Sequence, residues 1–337
     1  GIPDPTTTGA ACFDASSEGT RLLQDSLVQG APLCALEHRS YASTGRTMAK
    51  GRQRESNDDS LAAILTAAKP MDKRRILRSA STGAWLTTMP SLLNGSDLSA
   101  EEFRDGVRLR IGLTPTAIPP RCDGCGEKFT TEHAMSCKKG GLILHRHNDL
   151  VATWGHLCGQ ALTPSTVTDE PLIQPSRDTP MAGTTQTVPA PELRGDLAVH
   201  GFWTKGQTAI FDVRITDTDQ PSNRNTKPSK VLLRHEKEKK DKYGALCIAR
   251  RRTFTPLVFS VDGLLGKEAT AASKRLASCL AAKWKRSYSE LCGYVRSRLS
   301  LALIRSSSRC LRADRNPTLR FRTPTWDSGT GLGLYRM

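Results

Sequence analysis

The feature that most constrains this chain is a sixteen-residue run, CDGCGEKFTTEHAMSC, which places Cys122, Cys125, His133 and Cys137 within one short segment. A CxxC on a tight turn, followed by a His and a Cys one helical turn apart, has the donor set and spacing of a closed tetrahedral Zn2+ site. With four protein ligands no position remains for water. The site is therefore expected to be structural, supplying folding energy to a segment too small to build its own core. His145 and His147 compete with His133 for the fourth position, and His147 has an equally plain reading as a structural or DNA-facing residue. Ten cysteines spread over 337 residues do not otherwise resemble a disulfide framework.

Charge gives the second constraint. Forty-nine Lys+Arg against 33 Asp+Glu leave a formal charge of +16, which points to a polyanionic partner. The longest apolar stretch, Leu61–Ala68, falls well short of the ~20 residues that span a bilayer, so no membrane partner is expected. The chain opens on Gly1 rather than Met, which reads as a segment of something longer.

Patterning divides the chain into five stretches. Residues 1–57 lack sustained periodicity and are expected to be a largely disordered linker. Residues 58–117 form a helical block, with a Ser99/Glu102 capping box opening its last helix. The zinc motif occupies 118–145. Residues 146–305 hold an amphipathic helix capped by Asn148, strands near Thr168–Ile173, Arg194–His200 and Gln207–Thr216, a helix over Ser229–Arg250, a strand at Thr255–Val261 and a basic helical region from Lys267. The Pro, Thr and Gly-rich stretch from Gln174 to Pro191 reads as a flexible excursion. Residues 306–337 are expected to be a loose tail. The order within the largest stretch is α-β-β-β-α-β, an α/β class, with a basic helical extension at its C-terminal end.

Between Glu192 and Asp219 five acidic residues outnumber three basic ones, inside an otherwise cationic chain. Strand alternation sets Asp196 opposite Leu197 and Val199, and it puts Asp212 and Arg214 on one face of their strand. Two adjacent strands could aim Asp196 and Asp212 at one Mg2+, a hard cation that takes one or two carboxylates and keeps its waters. Arg214 stands where a lysine two residues after the second acid would be the usual companion, and arginine clamps phosphate without serving as a base. On the following helix, ~100° per residue puts Lys239 roughly 20° from Leu232, inside the apolar stripe, while Lys237, Lys240 and Lys242 point sideways or out. Glu236, one turn earlier, could orient Lys239 or join the metal shell. Eleven Lys/Arg against three acids over 224–252, and twelve against three over 267–315, supply flanks that neutralise backbone phosphates, with Arg214, Arg234 and Lys242 as contacts.

CDGCGEKFTTEHAMSCKKGGLILHRHND, RGDLAVHGFW, AIFDVRITD, EKEKKDKYGA and FTPLVFSVDGLLGKEA occur in this order, and over about residues 80–312 the chain resembles the C-terminal region of non-LTR retrotransposon reverse transcriptase polyproteins. The resemblance implies a CCHC zinc motif followed by a PD-(D/E)XK restriction-like endonuclease that nicks target DNA to prime reverse transcription. Asp196 takes the place of the PD aspartate, Asp212 that of the second acid, and Lys239 or Lys242 that of a displaced lysine. Gly195 replaces the proline. The resemblance further implies duplex DNA as partner, element RNA as a second nucleic acid, an upstream polymerase domain and a nuclear location. The alternative is a catalytically inactive nucleic-acid-binding module with a structural zinc site.

Overall fold

The computed structural model describes residues 5–175, 177–180, 187–190 and 192–316. The chain divides into two compact units, Gly1–Lys73 and Arg74–Met337.

The first unit carries helices α1 (Pro5–Gln29) and α2 (Ala35–Ala67), where the sequence led us to expect a linker over 1–57. The reason is the kind of contact that joins them. A Cβ on Gly45 of α2 would stand 3.4 Å from Gly19 Cα of α1, so the two backbones meet through small residues rather than an apolar stripe. The Tyr41 hydroxyl donates to Glu18 at 2.6 Å, and Arg21 lies 5.8 Å from the Tyr41 ring centroid. Only Gly45 is buried in α2, so apolar periodicity had nothing to register.

The second unit is a mixed α/β assembly built on a four-stranded sheet of order β1-β6-β7-β8. Its strands are β1 (Val167–Asp169), β6 (Leu197–His200), β7 (Thr208–Thr216) and β8 (Thr253–Ser260). Strands β1, β6 and β7 pair antiparallel, while β7 and β8 run parallel, joined by helix α7 (Pro228–Ala249). A parallel neighbour needs such a crossover. Pro256 lies within β8, which the sheet tolerates because β8 is an edge. Two short pairs lie outside this sheet, β2 (Leu172–Gln174) with β5 (Leu193–Arg194) and β3 (Arg177–Pro180) with β4 (Thr187–Ala190). The second falls within the stretch expected to be a flexible excursion; residues 176, 181–186 and 191 of that stretch lie outside the described residues.

Alternation along β7 sorts its side chains between two layers. Phe211 and Val213 enter the main core, where helices α6 (Leu142–Ala161), α8 (Lys267–Trp284) and α9 (Tyr288–Arg312) contribute Trp154, Leu157, Leu276, Leu280, Val295 and Leu299. Ile210 faces the other way, packing with Ala198, Tyr243 and Cys247 under α7. Asp212 shares the Ile210 face and therefore looks toward α7.

Helix α3 (Pro70–Ser79) sends three arginines onto the loop that follows β7. Asp219 receives Arg74 at 3.1 Å, Arg75 at 2.9 Å and Arg78 at 2.7 Å, and Arg78 also reaches Asp262 at 2.6 Å. Arg74 donates further to the carbonyls of Thr218, Asn223, Arg224 and Thr226. That loop delivers the chain into α7, so the cluster fixes where α7 begins. Helix α4 (Ala100–Ile111) opens on the expected capping box, Glu102 N–H donating to Ser99 Oγ and Ser99 N–H to Glu102 Oε2. Its buried Asp105 holds α9 through Ser308 and Arg312.

Candidate metal centres

The Cys/His motif folds as two local pieces. Gly126 N–H donates to the Cys122 carbonyl across a tight turn, and the short helix α5 (Thr131–Ser136) is capped by Thr130 Oγ1, which accepts from His133 N–H at 3.1 Å. Cys137 N–H then bonds the His133 carbonyl, setting His133 and Cys137 on the same side of that turn. One donor atom from each of Cys122, Cys125, His133 and Cys137 lies within 4.8 Å of every other. Cys122 and Cys125 each stand 3.9 Å from Cys137 Sγ, and Cys125 Sγ stands 3.3 Å from His133 Nε2. A tetrahedron with Zn–S of ~2.3 Å has S···S edges of ~3.8 Å, so the set fits a zinc ion. Burial opposes ionisation of Cys122, but His133 and the backbone N–H groups of Gly124 and Cys125 outweigh it and draw the thiol down to about 7. His133 fills the fourth position for which His145 and His147 were competitors.

The knuckle does not stand alone. Phe129, Ala134, Met135 and Leu142 pack with Cys310 and Leu311 of α9, and the Arg315 guanidinium lies 4.9 Å from the Phe129 ring centroid. Only Lys138 to Gly141 separate Cys137 from α6. Gly140 and Gly141, both left-handed, turn the chain so that α6 starts at Leu142. Asn148 is consequently inside the helix rather than its cap.

At the sheet, the β6/β7 register pairs Leu197 with Phe211 and Ala198 with Ile210, and Asp196 N–H donates to the Phe211 carbonyl at 3.0 Å. The paired register ends at Leu197: Asp196 lies in the bend just before β6, and its N–H reaches the Phe211 carbonyl rather than that of Asp212, an offset of one residue from the ladder. Asp196 Oδ2 accepts from Val213 N–H at 2.5 Å, and Asp196 Oδ1 lies 3.2 Å from His147 Nε2 of α6. Asp212 is buried, with its Oδ2 2.6 Å from Lys239 Nζ. Burial raises the Asp212 carboxyl above its ordinary value; Lys239 opposes this, and the negative charge of Asp196 adds to it. Two carboxylates near enough for the charge of one to raise the other are a pair that a cation would relieve.

Arg214 donates to Glu238 Oε2 at 2.7 Å, Arg234 donates to Asn223 Oδ1 at 2.8 Å, and Lys242 rests 4.6 Å from the Tyr243 ring centroid, so Lys239 and not Lys242 meets the acid. Glu236 is buried, and its Oε1 accepts from Glu268 N–H at 2.9 Å in the first turn of α8. Gly195, immediately before Asp196, is closely crossed, since a Cβ there would stand 2.6 Å from Ile210 Cγ2. His147 is the member that sequence reasoning did not assign to the acidic pair. Its helical position carried no signal, because the strand it meets is 49 residues away in sequence.

No protein-family model matches the chain, and no curated protein matches it. Among the described residues no helix is long and apolar enough to cross a membrane.

Proposed function

We propose that this chain is the Mg2+-dependent DNA endonuclease region of a non-LTR retrotransposon polyprotein, with α6, β1, β6, β7, α7 and β8 as a restriction-like α-β-β-β-α-β core. One observation carries the reading: Asp196, just before β6, accepts from the N–H of Val213 beside Asp212 on β7, and Lys239 from the crossover helix contacts Asp212. Mixed pairing of the sheet, with the crossover helix between its parallel strands, supports the same core.

Asp196 and Asp212 would hold a magnesium ion, which when bound would supply an activated water and neutralise charge on the scissile phosphate. Lys239, fixed against Asp212, offsets negative charge as it develops on the phosphate oxygens. Hydrolysis breaks the P–O3′ bond and leaves the 3′ hydroxyl that primes reverse transcription. Duplex DNA is the substrate, and element RNA is a second partner for the cationic flanks. An upstream polymerase domain and a nuclear location belong to the same proposal.

The deciding experiment is nicking of supercoiled plasmid in Mg2+. The reading expects nicking by the full chain and its loss in Asp212→Ala with duplex affinity retained. A second reading, a binding module without chemistry, is favoured by one feature: Arg214 stands in the usual lysine position and its guanidinium is engaged by Glu238. That reading expects duplex binding and no nicking in either protein.

A further inference from the structure

Arg146 and His147 are consecutive residues in the first turns of α6, and they serve different sites. Arg146 is buried; its guanidinium donates to the Met135 carbonyl at 3.0 Å and contacts Met135 Sδ at 3.4 Å. Met135 belongs to α5, between the zinc-site residues His133 and Cys137. Leu142, at the start of α6, packs in the same cluster as Cys122 and Cys137. The next side chain round the helix, His147, lies 3.2 Å from Asp196 Oδ1. The other oxygen of Asp196 is taken by Val213 N–H, so backbone holds one side of this carboxylate and His147 borders the other.

We propose that the Cys3His knuckle governs the divalent-ion site through Arg146 and His147, which makes His147 a positioning residue for Asp196. The inference rests on the ion site of the preceding reading. The physical reason is that the turn joining knuckle to helix is short and its first helical residues are anchored on the knuckle. A knuckle without its ion loses the fixed position of Met135, and with it the register that presents His147. A buried guanidinium has few alternative partners, so the connection is stiff rather than permissive. Outer-shell partners of this kind typically change metal affinity by about 10–100-fold when removed.

The test uses the full chain and Mn2+ alone as probe, with free Mn2+ read from its electron paramagnetic resonance signal and zinc content measured in parallel. We expect His147→Ala to weaken Mn2+ binding about tenfold with zinc content unchanged, and His147→Gln, which keeps an N–H near the place of Nε2, to recover most of it. Cys125→Ser lowers zinc content and weakens Mn2+ binding by a similar factor. Adding His147→Ala to it then weakens binding little further, the signature of two changes acting through one path.

Unchanged Mn2+ affinity in His147→Ala overturns the inference, as does unchanged affinity in a folded Cys125→Ser chain that has lost its zinc. If Cys125→Ser does not fold by circular dichroism, the His147 pair decides alone. Mn2+ affinity indifferent to Asp212→Ala removes both the ion site and this inference. Intact, His147-dependent Mn2+ binding without plasmid nicking overturns the nuclease reading and leaves the connection standing.

Discussion

Lys239 Nζ lies 2.6 Å from Asp212 Oδ2, while the neighbouring candidate, Lys242, sits over the ring of Tyr243. The two lysines are therefore separable by experiment. Lys239→Ala is expected to reduce plasmid nicking by more than about 100-fold, whereas Lys242→Ala leaves the rate within a few-fold and weakens duplex binding modestly. Equal losses in the two variants would show that the assignment of Lys239 is wrong.

Asp212 sets a pH dependence of definite sign. Its carboxyl is raised above the ordinary value by burial, so the folded chain holds this proton more tightly than the unfolded chain does. Stability from this group is greatest below the ordinary carboxylate range and falls as pH rises through the raised value. Asp212→Asn is expected to raise the melting temperature at neutral pH, with the gain disappearing as pH is lowered. Added Mn2+ should stabilise the wild-type chain and not the variant.

Asp219 behaves oppositely. Against the cost of burial, the guanidinium groups of Arg78 and Arg75 hold its carboxyl well below the usual carboxylate range. The stability it contributes is present above about pH 4 and is lost as pH falls through the depressed value. Asp219→Asn leaves three arginines facing a neutral group and is expected to cost about 3 kcal/mol at neutral pH, with the difference shrinking in acid denaturation curves.

Glu238 competes with any phosphate for Arg214. Glu238→Gln is expected to strengthen duplex binding and to steepen the slope of log K against log salt by about 1, the equivalent of one further phosphate contact. Combining it with Arg214→Ala should remove both effects. A slope that does not move in Glu238→Gln would place Arg214 away from the DNA.

Zinc content distinguishes the three histidines near the knuckle. His133→Ala is expected to drop bound zinc from about one per chain to a small fraction, while His145→Ala and His147→Ala retain it. Retention in His133→Ala would reopen the fourth ligand.

What was legible in the sequence was what depends on near neighbours. The Cys/His spacing located all four donors because they lie within sixteen residues. Helical periodicity places Lys239 inward, and strand alternation places Asp212 and Arg214 on the face opposite Phe211 and Val213, since both are geometric properties of a single element. Pairings across long separations were not legible: His147 with Asp196, Glu236 with the start of α8, and Arg312 with Asp105. The α1/α2 pair escaped because small residues form its contact, and they leave no apolar stripe. The long basic stretch after Lys267 is two helices, broken at Lys285, where a left-handed residue ends α8. Helix α9 continues to Arg312, past the expected boundary at 305, and residues 317–337 of the expected tail lie outside the described residues.

The crossing at Gly195 carries an evolutionary consequence. Any larger residue there meets Ile210 on the neighbouring strand. Proline there would also lose the Gly195 N–H that donates to the Pro171 carbonyl. The two positions are thus bound by epistasis, and position 195 can enlarge only after position 210 has shrunk.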